Sequence, residues 1–387
     1  MSTQIVHLDL GDIPAAITVR DDVSAVLLVL FDEGRPVELR RVTRPADGVI
    51  SLREIGGPHP ANRPHATPSA PRAPRPVSVV VPTHERPDDL ARCIESMAGI
   101  RAAGHEVIVV DSGPVTSRTA SIVERFGVRY VCEPLPGTNR ARNAGTRAAT
   151  RDIVAFVDDD VVVSPTWLET ISACFDDSAV GCVTGLVLPL ELETDGQEEF
   201  ELYSGHRRDL RRCVYSRDVL RASAAGIVGI GANMAFRRKL LLALKGFDVR
   251  LGPGTRTRTG DETDMFARVL DSGQLIVYTP DAYVWHRHRR SAREVRSCVF
   301  GYGVGLYSML TKRLLEQHDL GAVITAGRWL VGPVLKAARA KIAGRPAPQW
   351  KVVLSETAGA PLGPFCFGYE SWRSRGRAGI AAARSLQ

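Results

Sequence analysis

The sequence predicts an α/β protein: a mostly parallel sheet flanked by helices, with a β-rich appendage before it and a helical region after it. Three observations carry this. From residue 77 to about 176, short apolar runs alternate with amphipathic helical stretches, the pattern of strands joined by crossover helices. The first 56 residues instead alternate short apolar runs with turn signals. Between the two lies "GPHPANRPHATPSAPRAPRP" (57–76), with seven prolines and no apolar run, which reads as an extended, semi-rigid linker.

The elements follow in order. "SAVLLVLF" and "GVISL" read as strands, with "DEGRP" as a turn between them. After the linker, "VSVVV" (77–81) is a buried strand. "RPDDLARCIESMAG" is a helix with Pro87 early, Asp88 and Asp89 in its first turn, and an apolar stripe at Leu90, Ile94 and Met97. "EVIVV" (106–110), "VRYV" (128–131) and "IVAFV" supply three more strands, separated by helices at "SRTASIVERF" and "NRARNAGTRAAT". Ser164-Pro165 then reads as a helix N-cap followed by a first-turn proline. Past residue 176, "AVGCVTGLVLPL" and "GIGANMAFRR" read as strands, and "ETDMFARVLDSG" as a helix closed by Gly273. From about 291 the chain reads as helical and Arg-rich. The expected division is 1–56, a small β-rich domain; 57–76, linker; 77–290, catalytic domain; and 291–387, helical C-terminal region.

Composition excludes several classes. With 387 residues, 44% hydrophobic and 24% charged, the chain has the balance of a soluble globular protein. Its net charge of +7 fits an acidic ligand or an anionic surface. No nucleic-acid-binding fold or aromatic-interleaved basic patch accompanies that charge, so nucleic acid is not an expected partner. Seven cysteines lie singly, without metal-site or disulfide spacing, as in a reducing cytosol. The start, "MSTQIVHLDLGD", does not read as a signal peptide. No stretch reaches the roughly 18 apolar residues of a spanning helix. The expected location is cytoplasmic, with room for peripheral contact at the inner membrane face.

Chemistry gathers at strand ends. "RDIVAFVDDDVVVSP" ends a buried strand in Asp158, Asp159 and Asp160. Three like charges there repel, and a fold keeps such a cluster when it is solvated or neutralised by a cation. Thr83, Glu85 and Arg86 follow the first strand of the alternating region, Asp111 follows the second, and Arg142 and Asn143 lie between the third and fourth. In a parallel sheet these ends converge on one edge, where open α/β sheets bind ligands. Acidic and basic groups together there suit a nucleotide with its metal. Oxygen ligands suit Mg²⁺ or Mn²⁺. The carboxylates Asp261, Glu262 and Asp264 offer a general base, or simply favourable acids at a helix N-terminus. For Glu262 that N-terminus predicts a lowered pKa, and the preceding "GPGTRTRTG" reads as a flexible loop suited to a lid. His286 and His288 fall on one face of an extended segment, as metal ligands or as structural residues. The Arg cluster at 207–221 offers either a solvated face or a seat for an anionic or lipid-phosphate acceptor.

Taken in order, "VSVVVPTHERPDDLARCIESM", "EVIVVDSGP", "ARNAGTRAATRDIVAFVDDDV", "GANMAFRR" and "GDETDMFAR" resemble the family 2 glycosyltransferases, which have the GT-A fold. The resemblance covers roughly residues 77 to 290. It implies that Thr83, Glu85 and Asp111 hold the base and ribose of a nucleotide-sugar donor. It further implies that Arg142 faces the nucleotide or its diphosphate, that Asp158 contacts ribose or metal, and that Asp160 binds metal. With Arg86, Asn143 and Asp159, these form the expected donor site. A His near position 286 is a metal ligand in some relatives. Where the family has Glu-Asp before its base helix, this chain reads Gly260-Asp261-Glu262-Thr263-Asp264, which leaves the base open among the three acids. The implied reaction is a metal-dependent, inverting transfer of a sugar to a hydroxyl of a glycolipid, polysaccharide or small metabolite. A nucleotidyltransferase that makes the sugar nucleotide is one alternative. "VPTHERPDD" stands where such enzymes carry a Gly-rich loop with Arg and Lys. A catalytically inactive nucleotide-sugar-binding or scaffold protein is the other.

Overall fold

Whether each apolar run became a strand depended on what could pair with it and cover it. The computed structural model describes residues 2–52, 75–204 and 210–384; the expected linker at 57–76 lies almost wholly outside them. The N-terminal unit contains β1 (Thr3–Asp9), β2 (Ala16–Thr18), β3 (Ala25–Asp32), β4 (Arg35–Thr43) and β5 (Val49–Ser51). β1 runs parallel to β3, and β3 forms a hairpin with β4. Glu33 (φ 48°) and Gly34 (φ 75°) close that hairpin, since a two-residue turn matched to strand twist needs positive φ at both positions. β2 pairs with β5.

β3 explains why "AVLLVLF" is continuously apolar. Val26, Leu28 and Leu30 point into the unit's own core with Leu8 and Ile50. Leu27, Val29 and Phe31 pack against Leu186, Leu188 and Tyr283 of the large sheet and against Leu192, just past β11. Period-two alternation thus serves two cores, and a strand covered on both faces shows no polar alternation.

The large sheet contains β6 (Val77–Thr83), β7 (Glu106–Ser112), β8 (Arg129–Glu133), β9 (Ile153–Phe156), β10 (Val161–Val163), β11 (Val180–Pro189), β12 (Cys213–Tyr215), β13 (Met234–Arg237) and β14 (Leu275–His286). Its order is β10-β14-β11-β13-β9-β6-β7-β8, with β12 paired to β14. β9, β6, β7 and β8 are mutually parallel, as are β11 and β14; β10, β12 and β13 run antiparallel to their neighbours. Helices α1 (Pro87–Ser96), α2 (Ala98–Ala102), α3 (Arg118–Phe126), α4 (Thr138–Ala148), α5 (Trp167–Cys174), α6 (Asp195–Ser204), α7 (Arg238–Ala243) and α8 (Asp261–Asp271) surround it. Val79 and Val81 of β6 face a core with Leu90, Ile94 and Trp167; Val80 faces the opposite core, with Phe156, Phe236 and Phe266. The C-terminal region is helical, as expected: α9 (Ala292–Gln317), α10 (Gly321–Ile342), α11 (Trp350–Gly359) and α12 (Leu362–Arg384). α9 starts at a capping box formed by Ser291 and Glu294, which satisfies two backbone donors reciprocally.

One local expectation is corrected. Ser164 is not a helix N-cap: α5 begins at Trp167, after Thr166. Val161–Val163 intervene as β10, whose pairing with β14 sets Val161 opposite His286. Ser164 N instead donates to the Tyr283 carbonyl at 3.3 Å, so this residue continues the contact with β14 and the helix starts later. That register carries Asp160, one residue before, up to His286.

Candidate active site

The strand ends do converge. β6 ends at Thr83, β7 reaches Asp111 and Ser112, and the three aspartates follow β9. Thr83 Oγ1 donates to Asp159 Oδ2 at 2.7 Å. Arg86 Nη1 lies 3.3 Å from Asp159 Oδ1 and 3.1 Å from Asp160 Oδ2. Burial, then the neighbouring Asp160 charge, push the Asp159 carboxyl up to about 7. Asp160 goes the other way. Its burial favours the neutral acid, but the His286 imidazole and Arg86 outweigh that and hold it well below the usual carboxylate range.

Asp158, Asp160 and His286 offer ligand atoms that all lie within 4.8 Å of one another. Asp160 Oδ1 is buried without a hydrogen bond of normal geometry and faces His286 Nε2 at 3.2 Å. Two carboxylate oxygens and one imidazole nitrogen suit a Mn²⁺-like ion. The residues therefore fit the expected divalent cation. His286 itself is biased toward its charged form: burial lowers its pKa, but Asp160 and Asp158 raise it further. His288 is not in the ligand group. Its Nε2 bonds Glu201 Oε2 at 2.9 Å and its Nδ1 lies 3.5 Å from His286 Nδ1. It supports the ring of the candidate ligand, the usual arrangement behind a metal-binding histidine.

Arg142 joins the two halves of the site. It is buried in α4; Nη1 donates to Asp261 Oδ2 at 2.6 Å, and Nη2 lies 3.4 Å from Asp158 Oδ1. Its guanidinium carbon sits 5.4 Å over the Phe247 ring. Glu262 follows Asp261 in the first turn of α8 and is half-buried. Burial and the Asp261 carboxylate push Glu262 well above the ordinary value of 4.5, reversing the expectation drawn from its helix N-terminus. The helix field is outweighed first by burial and then by the Asp261 charge beside it, which the nearby Arg142 offsets only in part.

Several expected site residues are held by other partners. Asp264 is fully buried, with Lys312 Nζ at 2.7 Å and Arg268 Nε at 2.9 Å, so α8 uses it to bind α9. Asn143 gives both ends of its amide to the Phe247 backbone, at 2.8 and 2.7 Å. Glu85, at φ 54°, accepts from the Val115 and Thr116 amides at 2.8 and 2.9 Å and from Thr116 Oγ1 at 2.7 Å. The Thr116 hydroxyl and these amides lower it to about 2, and it pins the loop after β7. Asp111 is buried and accepts from Tyr130 Oη at 3.0 Å; burial raises its pKa.

The Gly-rich loop before α8 is laced in place. Gly252 N donates to Thr257 Oγ1 at 3.1 Å, and Thr259 Oγ1 donates to the Gly301 carbonyl at 3.1 Å. Gly252 has φ +88°, and a Cβ there would lie 2.8 Å from Asp261 Cγ. It is glycine so that Asp261 can sit against the backbone. Glu201 and the Lys312 partner of Asp264 had no motif to announce them; only the fold brings them to His288 and Asp264.

Comparison with known proteins supplies independent information. Residues 78–244 match the model of glycosyl transferase family 2. The pre-mycofactocin glycosyltransferase of Mycobacterium tuberculosis is 30% identical over 238 residues, 59% of this chain and 47% of that protein. The glucosyl-dolichyl phosphate glucuronosyltransferase of Haloferax volcanii is 25% identical over 232 residues, 54% of this chain and 69% of that protein. The chain thus spans about half the length of the first of these relatives. Among solved structures, the mannosyltransferase PcManGT from Pyrobaculum calidifontis in complex with GDP-Man and Mn²⁺ aligns with a TM-score of 0.46 and 18% identity, covering 81% of each chain. Glucosyl-3-phosphoglycerate synthase from Mycobacterium tuberculosis, with Mn²⁺, UDP and phosphoglyceric acid, aligns with a TM-score of 0.43 and 20% identity, over 62% of this chain and 78% of that one.

Proposed function

Because residues 78–244 match the glycosyl transferase family 2 model, we propose that the protein transfers a sugar from a nucleotide-sugar to an acceptor hydroxyl, with inversion, and with residues 77–290 as the catalytic unit. One observation carries the reading: Arg142 bonds Asp261, beside Glu262, and reaches Asp158 of the candidate metal group. A cation site near a carboxylate base is what a single displacement at a sugar carbon requires.

In this reading Asp158, Asp160 and His286 would hold Mn²⁺ or Mg²⁺, which would supply positive charge against the leaving nucleoside diphosphate. Thr83 and Arg86 fix the aspartates from the β6 side. Asp111, buried at the end of β7, is assigned in this reading to the base and ribose. Glu85 holds the loop that would border them. Glu262 takes the proton from the acceptor hydroxyl as its oxygen attacks the anomeric carbon and the diphosphate departs from the opposite face. A carboxylate with a raised pKa is well matched to that task near neutral pH. Asp261 and Arg142 orient Glu262 and tie it to the metal side. No covalent intermediate is needed.

The acceptor is proposed as lipid-linked. The Haloferax volcanii relative is named for a glucosyl-dolichyl phosphate, and the net charge of +7 suits a phosphate-bearing acceptor at an anionic surface.

The test is release of nucleoside diphosphate from a panel of nucleotide-sugars, with Mn²⁺ and with chelator, alongside the Asp160→Asn and Glu262→Gln variants. Mn²⁺-dependent release that Asp160→Asn loses is the expected result. If the panel gives neither release nor a thermal shift, the reading fails.

A further inference from the structure

Helix α10 carries its apolar side chains on the outside. Ile324, Val331, Leu335 and Ile342, at helical spacing, form a stripe facing solvent; Val331 is 52% exposed and Ile342 is 88% exposed. Leu320, just before the helix, and Val323 extend it, at 74% and 58%. The contacts that hold α10 to the rest of the chain are made instead by small or polar groups. Ala322 and Ala337 are buried, Thr325 Oγ1 bonds Ser223 Oγ at 3.1 Å, and the Ala326 carbonyl accepts from Tyr307 Oη at 2.6 Å. A helix that hides alanines and shows isoleucine, valine and leucine presents a surface for something outside the chain.

Charge indicates what that is. From Gly321 to Lys351 the sequence contains six basic residues, Arg328, Lys336, Arg339, Lys341, Arg345 and Lys351, and no Asp or Glu. At 100° per residue, Arg328 and Arg339 border the stripe on one side and Lys341 on the other. Trp329 and Trp350 are also partly exposed, at 37% and 39%. Lys341 Nζ lies 5.0 Å over the Trp350 ring. Among the described residues, no helix is long and apolar enough to cross a membrane.

We propose that the outer face of α10 docks on an anionic phospholipid bilayer, with the helix lying in the headgroup plane. Isoleucine, valine and leucine enter the acyl boundary, the flanking Arg and Lys meet lipid phosphates, and the tryptophans sit at headgroup level. A second copy of the chain fits poorly, because two such faces would oppose basic residues with basic residues. The proposal deepens the lipid-linked acceptor reading above, but its test involves no sugar transfer.

The full chain is sedimented with phosphatidylcholine vesicles, with and without phosphatidylglycerol, at low and high salt. Binding that requires phosphatidylglycerol and weakens with salt is expected. Each basic residue at such a surface contributes about fivefold, so Arg328→Gln with Arg339→Gln lowers partitioning by about 25-fold. Ile324→Asn, Val331→Asn and Leu335→Asn together lower it at least about tenfold. All five positions are exposed, so melting temperatures stay at the wild-type value. Three results overturn the proposal: no vesicle binding by the wild-type chain, wild-type binding by both variant sets, or a solution dimer that the stripe variant abolishes. If transfer assays fail while vesicle binding behaves as expected, the catalytic reading falls and this one stands.

Discussion

Arg142 and Asp261 are 119 residues apart and form a buried ion pair at 2.6 Å. The same guanidinium reaches Asp158 at 3.4 Å. A single cation therefore couples the strand-end aspartates to the first turn of α8. Arg142→Met should lower unfolding free energy by roughly 3–5 kcal/mol, because it strands a buried carboxylate. Arg142→Lys keeps the charge but loses the two-armed geometry. It should keep most of the stability and lose about 100-fold in kcat through misplacement of Glu262. Urea unfolding and steady-state kinetics check both. Wild-type kcat in Arg142→Lys would remove Arg142 from the positioning role.

Glu262 sets the pH dependence. Its pKa in the folded chain lies well above the ordinary 4.5 because of burial and Asp261. With the ionised form of Glu262 as the proposed base, transfer should rise with pH through a midpoint above that of a free glutamate. Stability runs the opposite way. The contribution of a group with a raised folded pKa is complete below its unfolded value and is lost as pH rises through the folded one. Glu262→Gln should lower kcat by about two to four orders of magnitude and flatten both profiles. A pH–rate profile that keeps its acid limb in Glu262→Gln would assign the base to another residue.

What the sequence made legible was whatever rests on local period. The strands β6, β7, β8 and β9 and their crossover helices follow from alternating apolar runs, and with them the convergence of Thr83, Asp111 and Asp158 to Asp160. What it hid was non-local. Val161–Val163 is too short to show a period, so its pairing with β14, which brings Asp160 to His286, was invisible. Asp261, Glu262 and Asp264 look equivalent in sequence. Only the fold gives Asp261 to Arg142 and Asp264 to Lys312. His286 and His288 look equivalent too, until Glu201 from α6 takes the second ring.

That second ring yields a metal prediction. Glu201 bonds His288, and His288 lies against His286. His286→Ala and Asp160→Asn should each remove most Mn²⁺ affinity. His288→Ala and Glu201→Gln should weaken it by about 10–100-fold, because His286 loses its support. Mn²⁺ titration by calorimetry, without substrate, measures this directly. Equal affinity in His288→Ala and wild type would make His288 a purely structural residue.

The N-terminal unit makes the last prediction. Motif position alone treats residues 1–56 as an appendage remote from the donor site. The packing shows that Leu27, Val29 and Phe31 cover Leu186, Leu188, Leu192 and Tyr283. The joint also has polar pins: Arg41 Nη2 bonds Glu198 Oε2 at 2.8 Å, and Trp285 Nε1 donates to His7 Nε2 at 3.2 Å. Trp285 precedes the candidate ligand His286 on β14 but, by strand alternation, points to the opposite face. Removing residues 1–52 would strip the cover from β11 and β14 without removing any residue of the candidate donor site. Each large apolar side chain left uncovered costs about 1.5–3 kcal/mol, so the truncated chain should melt far lower and aggregate. A milder change separates stability from function. Phe31→Ala removes one ring from the joint and should cost about 3–5 kcal/mol. Mn²⁺ and donor affinity should stay near wild type at temperatures where the variant is folded. Loss of donor affinity in a folded Phe31→Ala would mean that the N-terminal unit shapes the site through β14, beyond stabilising the strand that carries it.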